Sequence, residues 1–145
     1  MEAIADVAAA PSSPEEGPAR RLRAALERVP YLQGAAPSSL DRLAAAMRWM
    51  GLPGGAVLIE AGETGDDGYL ILSGLLAVRA PDGRLLARLA AGDTVGEMAL
   101  LSGQRRSATV VALRDCEVGV LPAAAFREAV AADPDLALAF ARGVV

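Results

Sequence analysis

Residues 96 to 110 read Gly-Glu-Met-Ala-Leu-Leu-Ser-Gly-Gln-Arg-Arg-Ser-Ala-Thr-Val, a stretch that differs from the sequence on either side of it. Good helix formers from Glu97 to Leu101 directly follow a glycine. A single helical turn there leaves its first N–H groups unpaired, which suits an anion. Arg106 and Ser107 follow shortly afterwards, just before a predicted strand. They return a guanidinium and a hydroxyl toward the start of the turn, so the stretch predicts a site for one phosphate group.

The acidic residue at the start of this turn, Glu97, has a different predicted role. A carboxylate repels a phosphate, but it accepts a hydrogen bond from a sugar hydroxyl beside the phosphate. A phosphate together with a ribose indicates a nucleotide. The helix dipole alone also favours a carboxylate in a first turn. A structural role for Glu97 therefore stays open, as does a role for Ser107 as the start of the strand.

The sequence after Met50 alternates short apolar runs with turn residues. Many short strands at such spacing indicate a β-sandwich or a β-barrel. The Asp82-Gly83 pair between two runs predicts a tight hairpin, in a primed turn that needs positive φ. The predicted strands are Ala56–Ile59, Tyr69–Leu72, Leu75–Val78, Leu85–Leu89, Ala108–Ala112 and Glu117–Leu121.

Helices are predicted on both sides of this β-rich body. Apolar residues spaced three and four apart predict a helix from about Ala19 to Val29. Ser38 or Ser39 is predicted to cap a second helix. Pro122 suits a first helical turn after the last strand, and Pro134 opens a final short helix through Arg142.

The composition of the 145-residue chain excludes several classes of protein. There is no His, and the one Cys, Cys116, has no partner for a disulfide. Because His is the commonest general base and metal ligand, we predict no catalytic residue and no metal site. The net charge of −4 disfavours a nucleic-acid partner.

The chain begins with a polar segment and contains no long apolar run. Residues 1–18 are polar and interrupted by prolines, so we expect a flexible lead-in followed by one domain over residues 19–145. No apolar run has the length of a membrane span. Acidic residues near the start disfavour a signal peptide. We therefore expect a cytoplasmic protein without a membrane span.

The stretch from Gly96 to Val110 resembles the phosphate-binding cassette of the cyclic nucleotide-binding domain family. That cassette typically runs Gly-Glu-hydrophobic-Ala-Leu, a short loop, and then Pro-Arg-small-Ala-Thr-Val. The resemblance extends to the Gly62–Asp66 turn and to Gly92–Val95, and it covers about Leu22 to Arg142. It implies a mainly β fold with flanking helices: an eight-stranded β jelly roll with two N-terminal and two C-terminal helices.

The resemblance also implies a role for each residue of the cassette. Arg106 pairs with the cyclic phosphate, Glu97 binds the ribose 2′-hydroxyl, and Ser107 and the backbone near Ala99 donate to the phosphate. We expect the guanidinium to be unpaired until the ligand binds. The predicted ligand-binding residues are Gly96, Glu97, Met98, Ala99, Arg106 and Ser107.

The function implied is reversible binding of a cyclic nucleotide monophosphate, with cAMP as the first expectation and cGMP left open by the Ser107 hydroxyl. Binding would repack the C-terminal helices and regulate an attached or partner effector module. No cofactor is expected besides this ligand, and the chain is not expected to be an enzyme.

The chain departs from the family pattern at two places. Arg105 stands where the family usually has Pro, and the last helix ends near Arg142, where a lid helix normally continues. The first departure predicts a looser loop with an added charge close to the phosphate site. The second predicts either modest affinity or a piece cut from a longer protein. One alternative is a degenerate jelly roll that binds nothing and acts as an interaction domain. Another is the regulatory fragment of a larger patatin-like phospholipase, since the N-terminal sensor domains of the bacterial enzymes are similar around Met47–Met50 and Gly92–Leu101.

Overall fold

The computed structural model describes residues 16–96 and 105–143. Four α-helices flank a β-rich body within these residues. The helices are α1 (Glu16–Leu26), α2 (Pro37–Ala46), α3 (Ala123–Ala132) and α4 (Pro134–Gly143), with a 3-10 turn at Pro30–Leu32. The strands are β1 (Arg48–Leu52), β2 (Val57–Ile59), β3 (Gly68–Ser73), β4 (Leu76–Arg79), β5 (Leu85–Leu89), β6 (Thr94–Val95), β7 (Thr109–Ala112) and β8 (Cys116–Leu121).

The strands form two antiparallel sheets of four. The first sheet has the order β1-β8-β3-β6 and the second has the order β2-β7-β4-β5. Each sheet thus alternates strands from the beginning and the end of the β-rich region. This arrangement confirms the predicted mainly β jelly roll with flanking helices.

Two apolar cores meet on the first sheet. The inner core lies between the sheets and includes Ile71, Leu76 and Val118. The outer core lies between the first sheet and the helices, and includes Leu70 and Phe140. Leu70 and Ile71 are neighbours on β3 and point to opposite faces, as the period of a strand requires. Strand β8 also sends alternate side chains into the two cores, and its six residues are all buried.

The predicted strands are present, and their ends differ from the prediction by at most one residue. Two further strands, β1 and β6, are missing from the prediction. The predicted lead-in at residues 1–18 stays a prediction over residues 1–15, which lie outside the described residues, whereas α1 already begins at Glu16.

The predicted cap of the second helix is wrong. Helix α2 begins at Pro37, and its N-cap residue, Ala36, makes no side-chain cap bond. Proline suits this position because its φ is already helical and its missing N–H would have no partner in the helix. Ser39 is buried instead. A hydrogen bond from Ser39 is the main cause that lowers the pKa of Asp133, between α3 and α4.

The hairpin between β4 and β5 is confirmed, but its primed turn is not. Gly83 has a φ of 91°, whereas the φ of Asp82 is not positive. The N–H of Gly83 donates to Ala80 O at 2.8 Å, so Pro81 and Asp82 are the central residues of the turn. Proline holds φ near −65°, which is incompatible with a primed turn.

Candidate functional site

The loop between β2 and β3 folds back on the residues that lead into β7. The N–H of Gly62 donates to Arg106 O at 2.8 Å, and the N–H of Arg106 donates to Glu63 O at 2.9 Å. The N–H of Ala61 donates to Thr109 Oγ1 at 3.0 Å. These bonds hold the backbone of Arg106 in a fixed position against the loop.

The guanidinium of Arg106 lies half-buried among backbone carbonyls. Its Nη2 donates to Asp67 O at 2.7 Å, and its Nη1 lies 3.5 Å from Gly96 O. The expectation of an unpaired guanidinium is therefore wrong. A guanidinium carries five N–H groups, so these two contacts leave donor capacity for a ligand.

Gly96 is adapted to this position by its backbone and by its lack of a side chain. Its φ is 86°, in the left-handed region that favours glycine. A Cβ on Gly96 would lie 2.8 Å from Asp67 O and 2.9 Å from Arg106 Nη1. Any larger residue would therefore displace either the loop or the guanidinium.

The electrostatics around Tyr69 report how close these charges lie. Burial raises the pKa of the Tyr69 phenol above its ordinary value, and the Asp67 carboxylate adds to that effect. The Arg106 guanidinium acts in the opposite direction and lowers the pKa of Tyr69. The cation and the phenol thus share one neighbourhood at the start of β3.

Two of the predicted site residues are brought together, namely Gly96 and Arg106. Ser107 follows Arg106 and is exposed. Glu97, Met98 and Ala99 lie outside the described residues, so the predicted sugar contact and the predicted helical turn stay predictions.

Arg105, the departure from the family pattern, also contacts the loop. Its Nη1 donates to Gly62 O at 2.9 Å, and the side chain is exposed. Two consecutive arginines thus bind carbonyls at the two ends of one loop, Gly62 O and Asp67 O.

Asp67 and Gly65 lie at the site as well, although neither is among the predicted ligand-binding residues. Asp67 takes part through its backbone carbonyl, which no side-chain pattern reveals. Gly65 lies beside the Arg106 guanidinium. The dense run of glycines and acids from Gly62 to Gly68 indicated a turn, and it was the available signal for a loop that approaches another group closely.

A second polar cluster ties α1 to the first sheet. Arg21 Nη1 donates to Glu117 Oε2 at 2.6 Å, and Arg21 Nη2 donates to Glu117 Oε1. Ser73 Oγ donates to Glu117 Oε1 at 2.9 Å. The Arg21 hydrogen bonds are the main cause that holds the pKa of Glu117 below its ordinary value, against the effect of burial. Because both oxygens of the carboxylate already accept hydrogen bonds within the protein, we assign this cluster a role in holding α1 on the sheet.

Two further classes of site find no support in the described part of the chain. Residues 16–96 and 105–143 contain no group of three or more His, Cys, Asp or Glu that could hold a metal ion. No helix among them is long and apolar enough to cross a membrane. Cys116 is buried in the inner core, as expected of a small packed residue.

Comparison with known families gives one match over most of the β-rich body. The profile described as "Cyclic nucleotide-binding domain" matches residues 50–133. This range includes the β2–β3 loop, Gly96 and Arg106.

Curated relatives match over part of their length. An uncharacterized NTE family protein of Mycobacterium tuberculosis is 36% identical over 122 residues, which is 84% of this chain and 21% of the relative. Patatin-like phospholipase domain-containing protein 7 of Rattus norvegicus is 39% identical over 84 residues, which is 55% of this chain and 6% of the relative. The chain thus spans about a fifth or less of these relatives. They confirm the similarity to patatin-like phospholipases.

A solved structure with the same fold is the regulatory domain of Toxoplasma gondii PKA, described as a co-crystal with cAMP. It superimposes with a TM-score of 0.73 at 26% sequence identity, over 88% of this chain and 51% of that chain.

Proposed function

This chain belongs to the cyclic nucleotide-binding domain family, and from that premise we propose that it binds a cyclic nucleotide monophosphate reversibly and acts as a sensor. Such a domain is regulatory rather than catalytic. The ligand that we favour is cAMP, which is also the ligand of the Toxoplasma regulatory domain.

The observation that carries this proposal is the placement of Arg106. Its backbone is bonded to the β2–β3 loop on both sides, through the Gly62 N–H and Glu63 O. Its guanidinium is oriented by the carbonyls of Asp67 and Gly96. A guanidinium held in this way offers a planar pair of donors to two oxygens of a phosphate. An orientation fixed before binding also reduces the entropy lost on binding.

The regulatory step that we propose is a shift between two packings of the helices. A ligand phosphate at Arg106 would place a negative charge beside the Asp67 and Gly96 carbonyls that hold the guanidinium, and would change the balance of contacts that fixes the β2–β3 loop. The loop bonded to Arg106 leads directly into β3, which contributes Leu70 to the core beneath the helices. A ligand shifts this equilibrium only as far as its affinity differs between the two packings.

The module that receives the signal is proposed to lie in a longer polypeptide or in a partner protein. The chain spans 21% of the Mycobacterium relative, so most of that relative lies outside the matched region. We propose a cytoplasmic location for the sensor, where a lone thiol such as Cys116 stays reduced.

Calorimetric titration tests the proposal directly. We expect cAMP or cGMP to bind, and AMP to bind far more weakly because its open phosphate is presented differently to Arg106. Arg106→Ala should weaken binding about thirtyfold or more, which corresponds to about 2 kcal/mol for a lost charge-assisted contact. No binding of either cyclic nucleotide at millimolar concentration would contradict the proposal and favour a jelly roll that acts as an interaction domain.

A further inference from the structure

Gly65, in the β2–β3 loop, lies against the Arg106 guanidinium. A Cβ on Gly65 would lie 3.6 Å from Arg106 Nη2 and 3.7 Å from Nε. We propose that Gly65 is a positioning residue that keeps the Nε–Nη2 side of Arg106 open to the oxygens of an anionic ligand. The inference rests on the proposed function and adds to it the residue that governs access to the guanidinium.

Nε is the guanidinium nitrogen that the two carbonyl contacts leave for a ligand. Asp67 O is bonded to Nη2, and Gly96 O lies by Nη1. Neither of these contacts uses Nε. Nη2 carries two hydrogens, one of them on the same side as the Nε hydrogen, so Nε and Nη2 can bind two oxygens of one phosphate in parallel while the other Nη2 hydrogen serves Asp67 O.

The backbone of the loop does not require glycine at position 65. The φ of Gly62 is 91°, in the left-handed region, whereas the φ of Gly65 is outside it. A Cβ at 3.6 Å from the guanidinium would make an ordinary van der Waals contact. Alanine at this position should therefore fit the protein without ligand.

The effect of a methyl group at this position appears only when a ligand is present. Oxygens in charge-assisted bonds to guanidinium nitrogens lie at about 2.7–2.9 Å. A methyl group in van der Waals contact with both Nε and Nη2 occupies part of the space that these oxygens need. The glycine thus has a role in binding that it does not have in folding.

Gly65→Ala and the larger Gly65→Val test this inference, with Thr64→Ala as the control on the neighbouring exposed residue. We expect Gly65→Ala to weaken cAMP binding about tenfold or more, by loss of one hydrogen bond to a charged group, and Gly65→Val to weaken it further. The melting temperature without ligand should stay within about 2 °C of the wild type, as for other surface substitutions. Thr64→Ala should change neither quantity.

A second probe separates this inference from the proposed function. Inorganic phosphate is titrated into ¹⁵N-labelled protein while the Arg106 Nε–H resonance is followed, with its assignment taken from the spectrum of Arg106→Lys. We expect phosphate to shift this resonance in the wild type and to shift it much less in Gly65→Ala. If cyclic nucleotides fail to bind while phosphate behaves in this way, the proposed function fails and the inference stands.

Three results would overturn the inference. One is wild-type cAMP affinity in Gly65→Ala. Another is a loss of affinity that accompanies an equal loss of stability, because glycine would then serve the fold. The third is an Arg106 Nε–H resonance that neither phosphate nor a cyclic nucleotide moves in the wild type.

Discussion

Arg106 contacts two backbone carbonyls when no ligand is present, and in the proposed complex it also binds the phosphate of the ligand. The bonds to Asp67 O and Gly96 O are lost in Arg106→Ala even when no ligand is present. We expect this variant to lose about 1–2 kcal/mol of stability, as for one or two ordinary hydrogen bonds. The melting temperature without ligand should fall by about 3–6 °C, and cAMP should no longer raise it. Thermal unfolding with and without cAMP measures both effects.

Two variants complete the test of Arg106. Arg106→Lys should recover only part of the ligand response, because an ammonium group cannot reproduce the planar pair of donors. Arg105→Ala removes a neighbouring guanidinium that is bonded to Gly62 O on the exposed side of the loop. It serves as the control for loss of positive charge. An equal loss of ligand response in Arg105→Ala would show that overall charge, and not the geometry at Arg106, determines binding.

Ser107 decides a finer question, the choice between the two purines. Its side chain is exposed beside Arg106, so its hydroxyl is available to a ligand. If the hydroxyl bonds a guanine base, Ser107→Ala should weaken cGMP binding about fivefold, or about 1 kcal/mol, and leave cAMP binding unchanged. Paired calorimetric titrations measure this difference. Equal losses for both nucleotides would assign the hydroxyl to the phosphate.

The residues of the site show what sequence reasoning can and cannot provide. Arg106 was predicted because a guanidinium suits a phosphate, and Gly96 was predicted because it matches the first residue of the family's cassette. Gly65 acts through the absence of a side chain, and a glycine in a run such as Gly62–Gly68 indicates a turn as readily as a close approach to another group. Asp67 acts through a backbone carbonyl, which its residue type does not indicate. The expectation of an unpaired guanidinium failed for the same reason, since its partners are backbone atoms.

At the scale of elements, apolar runs bounded by turn residues predicted their strands correctly, whereas strands that depend on a partner far along the chain left no sign in the sequence. The predicted strands were runs of apolar residues bounded by turns. In contrast, β1 contains Gly51 and β6 has only two residues, so neither forms such a run. Strand β1 pairs along its length with β8, and this long-range partner stabilises a segment whose own sequence is a weak strand.

Helix α1 is joined to the first sheet by the ion pair between Arg21 and Glu117. Glu117 is 4% exposed, and the Arg21 side chain is 31% exposed. Because water still reaches Arg21, we expect Glu117→Gln to cost about 1–3 kcal/mol at neutral pH, less than for a fully buried pair. Urea unfolding of the wild type and the variant measures this difference.

The pH dependence of that difference has a definite sign. The pKa of Glu117 in the folded protein is lowered from its ordinary value of 4.5, chiefly by the hydrogen bonds from Arg21. The carboxylate therefore stabilises the fold fully above pH 4.5, and this contribution is lost as the pH falls through the lowered pKa. Wild type and Glu117→Gln should converge in stability in that acid range. Arg23 lies on the same helix as Arg21 and pairs with Glu27, an exposed residue just after the end of α1. Glu27→Gln should change stability by no more than about 0.5 kcal/mol at any pH. A constant difference between wild type and Glu117→Gln down to the lowest pH would contradict the ion-pair account.

At the scale of the whole molecule, the two cores are joined through shared strands. Leu70 belongs to the core under the helices and Ile71 belongs to the core between the sheets. Strands β3 and β8 are the central strands of the first sheet, so neither core keeps its packing if the other is lost. We therefore expect the described elements to unfold in one cooperative transition.

Because the two cores unfold together, a ligand at Arg106 should also stabilise elements that lie far from it. At a cAMP concentration one hundred times the dissociation constant, binding adds about 2.7 kcal/mol to the free energy of unfolding. For a domain of this size the melting temperature should rise by about 5–10 °C.

The single Trp, Trp49, lies on β1 at the edge of the first sheet, so its fluorescence reports on that sheet. Far-UV ellipticity reports mainly on the helices. Both signals should shift by the same amount, because the cores unfold together. A ligand shift seen in the Trp49 signal and missing from the ellipticity would mean that the helices unfold independently, and the binding energy at Arg106 would then have no route to them.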